Sequence, residues 1–123
     1  MDIYRRYGLR RIGFVDASWE VYATGIRGCR RIGRVDRNGE IYRGERPVES
    51  IVGNADRRGY ICGAGVSRRG HGVGEVDRYG RVFTRGEHGR VLIGQVRPEP
   101  LGFDRRAPAA GAAFLLLFRV RHD

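Results

Sequence analysis

The chain has no lysine, two cysteines, one methionine and four prolines in 123 residues, and each scarcity excludes something. Two cysteines, Cys29 and Cys62, do not make the disulfide framework of a small secreted scaffold. No apolar stretch reaches the roughly eighteen residues that read as a membrane-crossing helix. The N-terminus lacks the basic-then-apolar pattern of a signal peptide, so a cytoplasmic location is expected. The histidines, His71, His88 and His122, have no metal-ligand spacing, and no metal or other cofactor is expected. With lysine absent, every basic residue is an arginine. That uniformity fits GC-rich codon usage, so the guanidinium is not read as chosen for bidentate phosphate contacts.

What the chain does have is glycine, twenty residues of it, with 41% hydrophobic content. That composition suits short strands and turns more than helices, and the length fits one domain with a modest core. The pattern is clearest at Ile32-Gly33-Arg34-Val35-Asp36-Arg37-Asn38-Gly39-Glu40-Ile41-Tyr42, which reads as a β-hairpin. The turn falls at Asp36 to Gly39, where Asn and Gly tolerate positive φ and an Asp side chain bonds the backbone two residues on.

The unit recurs. Gly13, Gly33, Gly53, Gly74 and Gly94 follow one another at about twenty residues, a spacing that marks a repeat protein. Three residues after each of the first four stands an aspartate: Asp16, Asp36, Asp56 and Asp77. Three further on come Gly39, Gly59 and Gly80, and then Tyr22, Tyr42, Cys62 or Phe83. The first copy has Trp19 in the glycine position, and the last runs into Arg97-Pro98-Glu99-Pro100, a first strand with no second. Asp2-Ile3-Tyr4 matches the missing second strand and is expected to pair near Val91–Val96, closing five hairpins into a ring without an open edge. The expected fold is all-β: a hairpin-repeat domain over residues 1–104, then an apolar segment over 105–123.

Within a hairpin, Val15, Val35, Val76 and Val96 share a face with the preceding glycine, while Val21, Ile41, Ile61 and Val82 face away from the neighbouring aromatic. Glycine at that position is expected to allow close approach of strands near the axis. Asp16, Asp36, Asp56 and Asp77, with Gly39, Gly59 and Gly80, are turn formers by position and not an acid–base pair. Cys62 reads as a small core residue, and Cys29 as a loop residue among arginines. Thr24 to Cys29 and Arg85 to Arg90 read as connections, and the glycine-rich stretch from Gly63 to Gly72 as a loop without a phosphate-binding context.

The repeats resemble the bacterial β-flower proteins, whose Gly-x-Val-Asp-x-x-Gly-x-Ile-Tyr hairpins are arranged around a central axis. The resemblance covers about Asp2 to Val96, and the C-terminal small-residue and leucine run is similar to tails in that group. The tryptophan-glycine spacing of WG-type repeats and the Tyr-x-Gly of MORN-type repeats are not met. What the resemblance implies is a fold. The family offers no catalytic residues to carry over.

No nucleophile, base and oxyanion set is legible, so a non-enzymatic structural or interaction module is expected. The alternative rests on a net charge of +10 and on arginine pairs, among them Arg30-Arg31, Arg57-Arg58 and Arg68-Arg69. On one rim these would bind nucleic acid or another polyanion, with Tyr7, Trp19, Tyr60 and Tyr79 as stacking surfaces. The plainer expectation is a solvated surface in which arginines pair with Glu20, Glu45, Glu75 and Glu87. The tail, Ala107 to Val120, is apolar on every side and too short to span a bilayer. It either plugs its own ring or joins neighbouring subunits. The second is expected, through Phe114, Leu115, Leu116, Leu117 and Phe118, because glycines and valines would leave the axis little room. A homo-oligomer follows.

Overall fold

The computed structural model describes residues 1–45, 47–63, 73–86, 89–98 and 101–117. Ten strands follow in order: β1 (Asp2–Arg5), β2 (Arg11–Val15), β3 (Glu20–Gly25), β4 (Gly28–Val35), β5 (Glu40–Arg43), β6 (Ser50–Ala55), β7 (Tyr60–Gly63), β8 (Gly74–Val76), β9 (Arg81–Gly86) and β10 (Gly89–Arg97). A helix, α1 (Arg106–Ala112), runs directly into a π-helical turn at Ala113–Leu117. The strands form a closed antiparallel barrel. β1 completes it by pairing with β10, Ile3 opposite Val96 and Tyr4 opposite Gln95. The N-terminal half-repeat therefore supplies the missing strand of the fifth hairpin.

The turns are built identically because the same side chain builds them. In all four, one aspartate oxygen accepts the amides two and four residues on at 2.9–3.0 Å, as Asp36 does from Asn38 and Glu40. The last turn residue takes positive φ, 85° at Gly39 and 63° at Trp19. Its carbonyl then accepts an amide of the next hairpin: Gly39 from Ala55 at 2.8 Å, Gly59 from Val76 at 2.9 Å, Gly80 from Val96 at 2.7 Å. A Cβ on any of these glycines would sit closer than 3.0 Å to the neighbouring backbone oxygen. Trp19 has that Cβ, and its bond from Val35 is the longest of the set at 3.1 Å. For the fifth hairpin the carbonyl of Met1 takes this place, accepting from Val15 at 2.8 Å.

Between hairpins the register slips by one residue. In β3–β4, Val21 faces Gly33 and Tyr22 faces Arg31, so Ile32 is the extra residue; β1–β2, β5–β6 and β9–β10 carry the same shift. A bulge of this kind sends two consecutive side chains to one face, which is why Ile32 and Gly33 are both buried. Strict alternation places that aliphatic residue outside. The strands also run further than expected. β3 and β4 reach Gly25 and Gly28, and β9 and β10 reach Gly86 and Gly89, so Cys29 lies in a strand and not in a loop.

The C-terminal segment fills the axis in two layers. Near the turns the wall is large: Ile3, Val15, Val21, Val35, Ile41, Ile61, Val76, Val82 and Val96 are at most 3% exposed. Compact residues fit against it, and Ala107, Pro108, Ala109, Ala110, Gly111, Ala112 and Ala113 are all buried there. Towards the other end the wall becomes glycine and the axis residues become large. Phe114 lies on Gly33, Leu115 on Gly13, Leu116 on Gly94 and Leu117 on Gly74, each closer to the glycine than a Cβ would permit. Those glycines belong to hairpins two, one, five and four in turn, so each residue advances one fifth of the way round. An α-helix, at 3.6 residues per turn, oversteps a five-fold ring. The wider i→i+5 winding comes closer to it.

For the residues from Ala107 to Phe114 the plug, the less expected of the two options, is what the structure shows, since they are enclosed by their own barrel, while Leu115, Leu116 and Leu117 are half-buried. The recurrent glycines do not crowd the axis. They are the room for Phe114 and the leucines. Phe118 lies outside the described residues.

Candidate interaction surface

Because the axis is occupied, side chains able to meet another molecule are on the outside or at the two ends. Topology separates the ends. The aspartate turns, at 16–19, 36–39, 56–59 and 77–80, form one rim. The connections between hairpins, including those at 6–10, 26–27, 44–45 and 47–49, form the other.

On the outer wall the repeat aromatics are half-buried beneath arginines. Phe14 stacks on Tyr22 with ring centres 4.9 Å apart. Arg11 covers Phe14, Arg34 covers Tyr42, Arg90 covers Phe83 and Arg97 covers Tyr4, at 4.3–5.1 Å from the ring centres. Arg34 also grips Glu49 with two bonds of 2.8 and 3.3 Å, and that hydrogen bonding holds its guanidinium further above the ordinary arginine value. The Tyr22 and Tyr42 hydroxyls are pushed up, first by desolvation and then by the turn aspartates Asp16 and Asp36. In the third hairpin Cys62 stands in the aromatic's place, and a groove of about 440 Å³ opens there beside Asn54, Asp56, Tyr60 and Arg85. Asp56 gives one carboxylate oxygen to the amides of Arg58 and Tyr60, and Glu40 and Cys62 also line the groove.

The turn rim is tied to the linker into α1. The Arg105 guanidinium donates to the carbonyl of Arg58, and its amide donates to Arg57 at 2.9 Å. Arg106 donates to the carbonyl of Arg37 and to Asp104, whose carboxyl the Arg106 guanidinium holds below the ordinary value. Arg106 and Arg37 also flank the Trp19 ring, 5.0 and 4.0 Å from its centre. The Arg105-Arg106 pair therefore anchors the plug.

The expected polyanion residues do not come together. Arg57, Arg58, Trp19, Tyr60 and Tyr79 stand at the turn rim, whereas Arg30, Arg31 and Tyr7 stand at the connection rim. Arg31 is spent on Glu20 at 3.0 Å and the carbonyl of Gly44 at 2.8 Å. Arg68 and Arg69 lie outside the described residues, as do the three histidines and Glu87. Among the expected pairings, Glu20 binds Arg31 and Glu75 binds Arg90 at 3.3 Å.

The connection rim carries what sequence reasoning missed. Leu9, Ile26 and Val48, at the ends of three successive connections, are 98%, 107% and 83% exposed. Among the described residues, Arg5, Arg10, Arg27, Arg30 and Arg43 at this end have no acidic partner. Between the first two connections lies a mostly apolar groove of about 590 Å³, bounded by Ile12, Ala23, Ile26 and Leu115 and by Arg5, Arg27 and Arg30. The signal was available in Gly25-Ile26-Arg27-Gly28, since hairpin tips favour Asn, Asp and Gly and rarely an isoleucine.

No group of His, Cys, Asp and Glu among the described residues is placed to hold a metal ion, and no helix among them is long and apolar enough to cross a membrane. No family model, curated protein or solved structure matches the chain.

Proposed function

We propose that the protein is a non-enzymatic interaction module, a β-flower-like ring that presents its connection rim to a partner. One observation carries this reading: the cavity that a barrel of this kind would offer a ligand is filled by the chain's own Ala107–Leu117, while the turn carboxylates are engaged by backbone amides. Recognition is left to the exterior, where exposed aliphatic residues and unpaired arginines share one end. If copies of the chain associate, their outer faces make the contact, since the tail is enclosed.

The test compares two charge-reversed forms of the full chain. Arg10→Glu with Arg27→Glu is expected to lose a partner captured by the immobilised wild type. Arg57→Glu with Arg58→Glu keeps it. Equal capture by both forms refutes the assignment of the rim.

A second reading, polyanion binding, is favoured by the same unpaired arginines. It requires nucleic-acid affinity that falls with salt at a log–log slope of roughly 0.9 per phosphate neutralised. Fluorescence anisotropy at low ionic strength measures that slope, and an absence of binding there removes the reading.

A further inference from the structure

We infer that the connection rim docks on an anionic lipid bilayer, with Leu9, Ile26 and Val48 entering the headgroup boundary and the flanking arginines pairing with lipid phosphates. This deepens the interaction-module reading and rests on it.

Four observations point to a bilayer. First, the three apolar residues stand on separate connections at one end of a closed ring, so they are presented together towards one plane, and a plane is what a membrane offers. Each is more than four-fifths exposed and contributes nothing to the barrel's core. Second, they are aliphatic. Nucleic acid is gripped by stacking on aromatic rings, and Trp19, Tyr60 and Tyr79 are at the opposite end, so of the four expected stacking residues the basic rim keeps Tyr7 alone, with Arg6 over its ring at 4.6 Å. Third, the charge is complementary to an anionic surface. Arg10 follows Leu9 and Arg27 follows Ile26 in sequence, an apolar tip with a cation at its shoulder each time.

Fourth, one of the two acids on the third connection is drawn away from the surface. Glu49 follows Val48 and would repel anionic lipid, but its carboxylate is turned onto Arg34 and its side chain is only 9% exposed. Glu45 is the exposed acid on the third connection, and Arg43 stands two residues before it. Between the first two tips, the groove floored by Ile12, Ala23 and Leu115 offers an apolar recess for a lipid chain displaced by the inserting residues.

The experiment is co-sedimentation of the full chain with vesicles of phosphatidylcholine alone or with about one third phosphatidylserine, run beside nucleic-acid binding. Each arginine near such a surface is worth about fivefold in partitioning, and burying an aliphatic tip roughly tenfold. The wild type is therefore expected to bind the serine-containing vesicles at least tenfold better than the neutral ones. Leu9→Ser with Ile26→Ser should lower that binding by tenfold or more with an unchanged melting temperature, because both residues are already in water.

A second variant reads orientation. In Ile26→Trp the new indole should shift its emission to shorter wavelength on adding vesicles, while the wild type, whose single tryptophan is at the other rim, should show no shift. Binding that is insensitive to the serine tips, or equal on neutral vesicles, overturns the inference. Binding to nucleic acid without binding to vesicles also overturns it, but leaves the basic rim as a working surface. Loss of binding to every partner in both rim tests would remove the interaction-module reading itself.

Discussion

Replacing Phe114 with alanine separates a plug from a subunit contact. Phe114 is 2% exposed and rests on Gly33, with the wall of Val35 and its neighbours above it. Removing a buried phenylalanine forfeits its transfer free energy and leaves a cavity, together about 3–5 kcal/mol. A domain of this size has about 5–15 kcal/mol in all, so the melting temperature should fall by roughly 10–20 °C. Gly33→Ala attacks the same contact from the wall. Its methyl would meet the Phe114 ring and the carbonyl of Tyr42, at a cost of about 1–3 kcal/mol. In the double variant the ring is gone and only the carbonyl opposes the methyl, so the combined loss should be smaller than the sum by about 1 kcal/mol. Thermal unfolding followed by circular dichroism supplies the energies, and light scattering supplies the mass. Strict additivity would refute the seating of Phe114 on Gly33. A fall in mass with an unchanged melting temperature would show that the tail joins subunits after all.

The other expectations follow from the turns and the closure. Asp36→Ala strips the amides of Asn38 and Glu40 of their acceptor and should cost about 1–2 kcal/mol in denaturant unfolding; no change would show that water replaces the carboxylate without loss. At φ 63° Trp19→Gly should be more stable than Trp19→Ala by roughly 1 kcal/mol, because both lose the stack under Arg37 and Arg106 but only glycine is unstrained there. The reverse order would mean that the turn has relaxed. Deleting residues 1–5 removes Ile3 from the core and bares β10 and β2, and the product should aggregate or unfold at room temperature; a soluble deletion with wild-type melting would refute closure through β1. Asp104 is held below its ordinary pKa by Arg106, so it contributes stability that is present at neutral pH and lost as pH falls through the carboxylate range. Asp104→Asn should flatten that acid limb slightly, and an unaltered profile would mean that the pair is idle.

How much could be read in the chain depends on how far apart the interacting groups lie. The aspartate turns, the inward valines and the half-repeat at Ile3-Tyr4 were legible because each is specified within a few residues: a carboxylate reaches amides two and four positions on, and a strand alternates every second residue. The same local logic missed the bulges, since Ile32 turns inward only because Gly33 is paired one place out of register with β3. It also missed the ends of the barrel. Residues such as Arg30 and Arg58 look alike in sequence, and only the direction of their strands sends them to opposite rims. The position of the tail was decided by tertiary structure alone. Phe114 and the leucines are apolar enough for a plug or an interface. Local sequence contains nothing that distinguishes a glycine which narrows a ring from one which leaves a seat, until five hairpins are closed and their missing side chains face a common axis.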